Sequence, residues 1–248
     1  MRIIASYNIK GGVGKTTTAV NLAWLAASEG KRTLLWDLDP QSAAGYCLQV
    51  KGKAHGKKLL RGKSDAEGLI HPTRYERLDL LPSDFSYRNV DVLLHEEKHP
   101  LKRLHKVLKP LDDDYDVVIL DCPPGLSLLS EAVFQASDAL LVPTLPSILS
   151  LRTLRMLIDF RKERSLTDLQ LFAFLTMVDR RKNLHNAVIE SRSRMRPWML
   201  ESFVPNMSEV EQMAERREPV FAFAPHGRAA EAYSALWTEV KGRLHLSR

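Results

Sequence analysis

A glycine-rich run, IKGGVGKTT at residues 9–17, leaves this chain few alternative folds. The preceding stretch RIIASYN (2–8) has the apolar, β-branched pattern of a buried strand, and TTTAVNLAWLAASEG (16–30) has a helical pattern that ends at Gly30. Glycines between a strand and a helix let successive backbone amides point at phosphate oxygens, at the positive end of the helix. The sequence therefore predicts a phosphate-binding loop.

The residues of this loop have separate predicted roles. Lys15 would reach the β- and γ-phosphates, the Thr16 hydroxyl would bind Mg²⁺, and Thr17 is placed to bind the α-phosphate. The residues predicted to contact the nucleotide phosphates are Gly11, Gly12, Val13, Gly14, Lys15, Thr16 and Thr17.

The loop departs from the usual pattern G-x-x-x-x-G-K-[ST] at its start. Ile9 occupies the place of the first glycine, and a second lysine, Lys10, follows it. A loop that already has Lys15 for the phosphates does not require another cation, so Lys10 calls for a separate explanation.

Strand-like and helix-like patterns alternate along the rest of the chain. Further strands are predicted at 32–39, 78–83, 115–124, 138–144, 169–178 and 201–206, and helices at 147–164, 184–195 and 226–243. This alternation predicts an α/β fold of the P-loop NTPase type, with a mostly parallel twisted sheet and helices on both faces. Ligands bind at the carboxyl edge of such a sheet.

Composition is that of an ordinary globular chain. Its 248 residues are 44% hydrophobic and 27% charged, and no composition break divides them, so we expect one domain over 1–248. Apolar runs stay well short of the roughly 18 residues of a membrane span. Two cysteines, Cys47 and Cys122, favour reduced thiols over a disulfide framework or a metal site.

Carboxylates follow two of the predicted strands. Asp121 ends the apolar run VVILD, where it is expected to hold Mg²⁺ through a water molecule. Asp37 and Asp39 end the second strand, and alternate strand residues share a face, so both are predicted to point toward the phosphates. We assign Asp39 to orienting the attacking water and Asp37 to supporting it or the metal; capping of the strand is the alternative.

Together, KGGVGKTT, DLDPQ and DVVILDCPP resemble the deviant Walker A motif, the following Asp switch and the Walker B strand of ParA/MinD-type ATPases. The resemblance is closest to the ParA (Soj-like) partition ATPases and covers nearly the whole chain apart from about 45–110. It implies an Mg²⁺-dependent ATPase, with ATP and Mg²⁺ as cofactors, that forms a homodimer when ATP is bound. It also implies a bacterial or plasmid-encoded protein, cytoplasmic and nucleoid-associated, that positions a plasmid, chromosome or protein assembly.

The family resemblance gives Lys10 a role. In such ATPases this lysine crosses a nucleotide-sandwiched dimer and contacts the phosphates of the other subunit, so Lys10, Lys15 and Asp39 become the catalytic candidates. The alternative is that Lys10 contacts phosphate only within its own subunit. The resemblance also places backbone near Pro205 and Asn206 against the adenine, with residues 176–178 on its other side.

A local excess of positive charge supports a DNA partner. Residues 151–200 contain 11 basic and 5 acidic side chains, whereas residues 101–150 contain 4 basic and 7 acidic ones. Lysines and arginines suffice for contacts to duplex phosphates, and a helix would place 192 and 196 on one face. A solvated helix face is the alternative. The DNA-contact candidates are Arg180, Arg181, Lys182, Arg192, Arg194, Arg196, Arg216 and Arg217.

Other functions on the same scaffold remain open. A MinD-like membrane cycle would use the apolar stripe Tyr233, Leu236, Trp237, Val240 and Leu244, but packing of that stripe on the sheet is preferred, so a membrane partner is not expected. A metabolic ligase or kinase would need a substrate pocket from 45–110, where no signature is present. Residues 49–77 are predicted to form a mobile, solvated excursion with short helices; contact of its basic residues with a partner is the alternative. The resemblance implies an ATPase-stimulating, ParB-like adaptor, and its specificity would reside in 45–110.

Overall fold

The computed structural model describes residues 1–52 and 56–246. In these residues eight strands form one sheet with the spatial order β3-β4-β2-β5-β1-β6-β7-β8. The strands are β1 (Arg2–Ser6), β2 (Thr33–Asp37), β3 (His71–Pro72), β4 (Leu78–Leu81), β5 (Val117–Asp121), β6 (Ala139–Thr144), β7 (Gln170–Val178) and β8 (Met199–Pro205).

Strand pairing in this sheet is parallel except at one edge, where β3 runs antiparallel to β4. The register places Ser6 of β1 and Asp37 of β2 on either side of Asp121 at the end of β5. The predicted α/β fold with a mostly parallel sheet is confirmed, and its carboxyl edge brings the glycine-rich loop together with Asp37 and Asp121.

Helices cover both faces of the sheet, because alternate strand residues enter two different cores. Leu34 and Trp36 belong to one core and Leu35 to the other. The α-helices are α1 (Lys15–Ser28), α2 (Ala43–Cys47), α3 (Gly56–Leu60), α4 (Val90–His95), α5 (Arg103–Leu108), α6 (Leu128–Ala136), α7 (Ile148–Glu163), α8 (Asn183–Ser191), α9 (Ser208–Arg216), α10 (Val220–Phe223) and α11 (Arg228–Leu244).

The predicted helix over 184–195 is wrong over its last four residues. α8 ends at Ser191, and a 3₁₀ turn over Arg192–Met195 follows it. Arg196 lies beyond this turn in an extended conformation. Pro197 explains why the turn does not continue through Arg196, because the residue before a proline is disfavoured in the helical region. Arg192 and Arg196 therefore do not share an α-helical face.

The region between β2 and β4 is more ordered than predicted. The short helices are present, at α3 and at a 3₁₀ turn over Glu67–Leu69, and β3 adds an edge strand that the sequence did not indicate. Leu59, Leu60 and Leu69 are buried in the core that contains Trp36. This segment is thus anchored by its leucines and is not a solvated loop over its whole length; residues 53–55 of the predicted excursion lie outside the described residues.

The last helix packs on the sheet through its apolar stripe, as the sequence predicts. Its five large apolar side chains are all buried in the core that contains Leu35: Tyr233, Leu236, Trp237, Val240 and Leu244. Within residues 1–52 and 56–246, no helix combines the length and the apolar character that crossing a membrane requires.

Candidate nucleotide-binding site

The glycine-rich loop turns sharply between β1 and α1. Gly12 has φ +69° and Gly14 has φ +89°, conformations that other residues adopt only with strain, whereas Gly11 lies outside that region. A side chain at position 14 would also meet the Thr17 hydroxyl at 3.2 Å. Two of the three glycines are therefore required by the backbone itself, and Val13 between them is buried.

The Lys15 side chain is folded into the loop. It is 7% exposed, and its Nζ donates to the carbonyl oxygen of Lys10 at 3.2 Å. Burial lowers the pKa of Lys15, against the opposing influence of Asp121 and Asp39. The ammonium therefore lies among the predicted nucleotide ligands, and a bound phosphate would stabilise its charged form.

A pocket of about 470 Å³ opens at this loop. We call it the phosphate pocket. Besides loop residues it contains Asp39, and its other walls come from α2, from α9 and from the end of β7. It is lined by Gly11, Gly12, Gly14, Lys15, Thr16, Thr17, Asp39, Ala43, Cys47, Pro124, Met177, Val210, Glu211, Met213 and Ala214.

Asp121 is fully buried at the end of β5, and neither of its carboxylate oxygens has a hydrogen-bond partner in the described part of the chain. Burial raises its pKa well above the usual range; neighbouring Asp37 and Asp39 add to the rise, while Thr16 and Lys15 oppose it. An orphaned buried carboxylate beside Thr16 is the oxygen-rich setting that Mg²⁺ and its water molecules prefer. The residues present therefore fit the predicted ion.

Asp37 and Asp39, both predicted to point toward the phosphates, have different surroundings. β2 ends at Asp37, and Asp39 lies beyond it. The buried Asp37 carboxylate accepts hydrogen bonds from the backbone N–H groups of Asp39, Ala44 and Gly45 at 3.0, 3.1 and 3.4 Å. Asp39, in contrast, is half-buried and lines the phosphate pocket. Asp37 thus holds the backbone of Asp39 and the start of α2.

Lys10 lies apart from the pocket lining. Its half-exposed side chain turns toward the start of α7, where Nζ donates to the Ser150 hydroxyl at 3.4 Å. Ser150 also accepts from the hydroxyl of Ser147, the residue that caps α7. An ammonium beside the positive end of a helix is weakly held. The two lysines of the loop therefore occupy different surroundings.

Thr17 has a partner that the sequence did not reveal. The Tyr233 hydroxyl, buried in α11, donates to Thr17 Oγ1 at 3.3 Å, and Thr17 itself donates to the Gly14 carbonyl oxygen at 3.1 Å. Tyr233 was predicted only as part of an apolar stripe. Met177 belongs to the range 176–178 that the family resemblance places beside the adenine; it has φ +53° and lines the phosphate pocket.

A second pocket, of about 570 Å³, lies between the ends of β7 and β8. Pro205 and Asn206 line it together with Val178, and the Asn206 N–H donates to the Val178 carbonyl oxygen at 2.9 Å. The residues predicted on the two sides of an adenine are therefore neighbours. Met177 belongs to the phosphate pocket and Val178 to this one, so the end of β7 separates the two cavities.

The predicted DNA-contact residues are not one uniform patch. Arg181 pairs with Asp179 at 2.9 Å, and both Arg192 and Arg196 pair with Glu201. These arginines lower the pKa of Asp179 and of Glu201 by hydrogen bonds. Arg180 lies 5.2 Å from the Phe203 ring centroid, while Lys182 and Arg194 are exposed.

Arg216 and Arg217 belong to another element. They end α9, where Arg216 lies 4.9 Å from the Phe223 ring centroid and Arg217 lies 4.4 Å from that of Tyr46. Their guanidinium groups therefore rest on aromatic rings of this chain.

Comparison with known proteins agrees with this geometry. A family model described as AAA domain matches residues 1–171. The chromosome partitioning protein ParA of Myxococcus xanthus is 36% identical, over 98% of this chain and 88% of that protein. The sporulation initiation inhibitor protein Soj of Bacillus subtilis is 34% identical, over 96% of this chain and 98% of that protein.

A solved structure with a similar fold contains a nucleotide. Cobyrinic acid a,c-diamide synthase from Mycobacterium smegmatis, with bound ATP analog and magnesium, superposes with a TM-score of 0.74 at 27% identity. The match covers 92% of this chain and 98% of that one.

Proposed function

Because this chain belongs to the ParA-type deviant Walker A ATPases, we propose that it forms an ATP-sandwich dimer that binds duplex DNA without sequence preference and positions a cargo. The chain is an ATPase that uses ATP and Mg²⁺. The dimer, the DNA and the cargo are the proposed parts of this function.

Within one subunit, the proposed nucleotide site combines the phosphate pocket with Asp121 and with Pro205 and Asn206 of the second pocket. Lys15 and the loop amides bind the phosphates, and Thr16 with Asp121 would hold Mg²⁺, whose charge neutralises the phosphate oxygens. Asp39 is the pocket carboxylate that we assign to orienting the attacking water. Pro205 and Asn206 are proposed to contact the adenine by their backbone.

The proposed dimer is supported by the different surroundings of Lys10 and Lys15. Lys15 is buried in the loop, whereas Lys10 is half-exposed and held at 3.4 Å by one serine hydroxyl. Releasing Lys10 from Ser150 breaks a single long hydrogen bond, so its ammonium is available to a neighbouring subunit. A cation supplied by a second subunit makes hydrolysis conditional on dimerisation.

The DNA surface that we propose is formed by basic residues at the end of β7 and after α8. Its exposed cations can bind backbone phosphates in any sequence, with an affinity that falls steeply with salt. Its members are Arg180, Arg181, Lys182, Arg192, Arg194 and Arg196. Association with the nucleoid, in the cytoplasm, follows from this surface. We further propose that an adaptor protein of the ParB type stimulates hydrolysis and links the dimer to its cargo.

A membrane surface is less well supported as the partner. The apolar stripe that would have to enter a bilayer is the buried face of α11, so its exposure would open the core around Tyr233 and Trp237. The buried stripe favours DNA over lipid.

The test is a binding assay with duplex DNA and with anionic phosphatidylglycerol vesicles, each in ATP–Mg²⁺ and in ADP–Mg²⁺. We expect retention on DNA with ATP only, and release when salt is raised from about 50 to 200 mM, a range over which several phosphate contacts lose orders of magnitude in affinity. Equal retention with ADP, or retention on vesicles instead of DNA, would contradict the proposal.

A further inference from the structure

The phosphate pocket has two helical walls that come from distant parts of the sequence. α2 contributes Ala43 and Cys47, and α9 contributes four residues over 210–214. α2 begins four residues after Asp39, whose backbone is held separately by Asp37. Whatever fixes α9 relative to α2 therefore sets the shape of the nucleotide site.

Arg217 connects these two walls. Its Nε donates to the Tyr46 carbonyl oxygen at 3.3 Å, and its guanidinium carbon lies 4.4 Å from the Tyr46 ring centroid. In return, the Gln49 side chain donates to the Arg217 carbonyl oxygen at 3.1 Å. We call these three residues the α2–α9 latch.

The surrounding structure holds Arg217 in position for this contact. It adopts the left-handed conformation, with φ 59° and ψ 49°, where α9 ends, and its N–H donates to the Met213 carbonyl oxygen at 2.8 Å. The next residue, Glu218, forms an ion pair with Arg74 at 2.9 Å. The end of α9 is therefore held by these two contacts in addition to the three contacts of the latch.

The opposite end of α2 is fixed independently. Asp37 accepts hydrogen bonds from the backbone of Ala44 and Gly45, at the start of the helix. The latch then fixes the end of α2, since Tyr46 is in its last turn. Removing the latch takes away the polar contacts between α9 and the end of α2, while the Asp37 contacts and the burial of Cys47 and Met213 in one core remain.

From these contacts we infer that Arg217 is a positioning residue for ATP binding, which acts by holding α9 against α2 across the phosphate pocket. The inference rests on nucleotide binding alone and is independent of DNA or dimer formation. It also gives Arg217 a different role from the DNA contact predicted from sequence, because its guanidinium is bound to Tyr46.

Arg217→Gly is the informative substitution, because glycine accepts the left-handed conformation without strain whereas alanine would add it. The loss of one hydrogen bond and one cation–π contact predicts a KM for ATP–Mg²⁺ raised roughly three- to tenfold, with kcat unchanged. The affinity for ATP–Mg²⁺, measured by calorimetry, should fall by the same factor. Arg217→Lys should be intermediate, because it retains the cation but not the planar donor.

Matched variants separate positioning from general loss of stability. Tyr46→Phe should behave as the wild type, since its ring and carbonyl remain, whereas Tyr46→Ala should raise KM. The Arg217→Gly/Tyr46→Ala double variant should be no worse than the more affected single one. Arg2→Ala is the control, because it removes an ion-paired arginine from the start of β1, at the end of the strand away from the phosphate pocket. The KM of this variant should be unchanged.

Three results would overturn the inference. One is an unchanged KM in Arg217→Gly. Another is a double variant whose KM is raised by the product of the factors seen in Arg217→Gly and in Tyr46→Ala. The last is loss of DNA retention in Arg217→Gly at saturating ATP with KM unchanged, which would make Arg217 a DNA contact.

Discussion

At the scale of single residues, two lysines five positions apart have different environments. Lys15 is enclosed by its own loop, and Lys10 lies against the start of α7. The difference arises because the loop turns back between them through two glycines with positive φ. Lys15 is thus bound by its own loop, whereas Lys10 is held outside the pocket by one serine hydroxyl.

The first prediction concerns Lys10→Ala. We expect this variant to bind ATP–Mg²⁺ as the wild type does, because Lys10 is not part of the pocket lining, but to lose hydrolysis by roughly 10³-fold, the size seen when a cation supplied in trans is removed. Steady-state turnover and calorimetric ATP affinity measure the two effects. Lys15→Ala is the comparison, since it should lose binding itself; normal turnover in Lys10→Ala would exclude the trans-lysine role.

At the scale of elements, α11 has a contact with the nucleotide site in addition to its apolar packing. Its Tyr233 hydroxyl reaches Thr17, the residue assigned to the α-phosphate, and Trp237 donates to Glu29 at the end of α1. Helices α1 and α11 are therefore joined by hydrogen bonds at both ends of their contact.

Tyr233→Phe should consequently affect nucleotide binding. Loss of one buried hydrogen bond, about 1 kcal/mol, predicts an ATP affinity reduced up to about fivefold and a comparable loss of unfolding free energy. Calorimetry and denaturant titration measure these quantities. Thr238→Ala removes an exposed hydroxyl from the same helix and should change neither; equal effects in both variants would rule out a specific link to Thr17.

The 3₁₀ turn after α8 gives another element-scale prediction, through Glu201. This single carboxylate on β8 pairs with Arg192 and with Arg196, so it would compete with DNA phosphates for both on the proposed surface. Glu201→Gln should strengthen DNA binding in ATP and steepen the dependence of log affinity on log salt by up to about two units, near 0.9 for each phosphate contact. The measurement is a salt titration of DNA affinity.

Glu67→Gln is the charge-matched control for that titration, because it removes an exposed carboxylate from the region between β3 and α3. An unchanged salt dependence in Glu201→Gln would show that Arg192 and Arg196 do not contact DNA.

At the scale of the whole molecule, strand register assembles the site. Asp37 and Asp121 are 84 positions apart in sequence and become direct neighbours because β2 and β5 pair in parallel. Both are buried. Burial raises the pKa of Asp37 to about 7 and that of Asp121 well above its usual range. The sheet thus places two buried carboxyl groups side by side.

This confinement predicts how stability depends on pH. A carboxyl whose pKa is higher in the folded chain than in the unfolded one stabilises the fold fully below about pH 4, and this contribution is lost as the pH rises through about 7. The melting temperature of the nucleotide-free protein, with chelator present, should therefore fall between about pH 5 and pH 8. Asp37→Asn should reduce that slope, whatever its effect on the melting temperature itself; an unchanged slope would exclude Asp37 as a cause.

The sequence by itself determined the fold class, the phosphate loop and the terminal helix. These follow from local patterns: glycines between a strand and a helix, apolar runs that alternate with helical ones, and a stripe at helical spacing. Such features depend on neighbouring residues, so they can be read without knowing how distant segments pack.

Only the tertiary structure decided which polar groups meet. Asp37 caps α2 although its spacing from Asp39 suggested a shared face, and Arg217 rests on Tyr46 although its charge suggested DNA. Tyr233 reaches Thr17 across 216 positions. Each of these contacts joins segments that are adjacent only after the sheet has formed, and hydrogen bonds and ion pairs depend on distances of a few ångströms that no local pattern specifies.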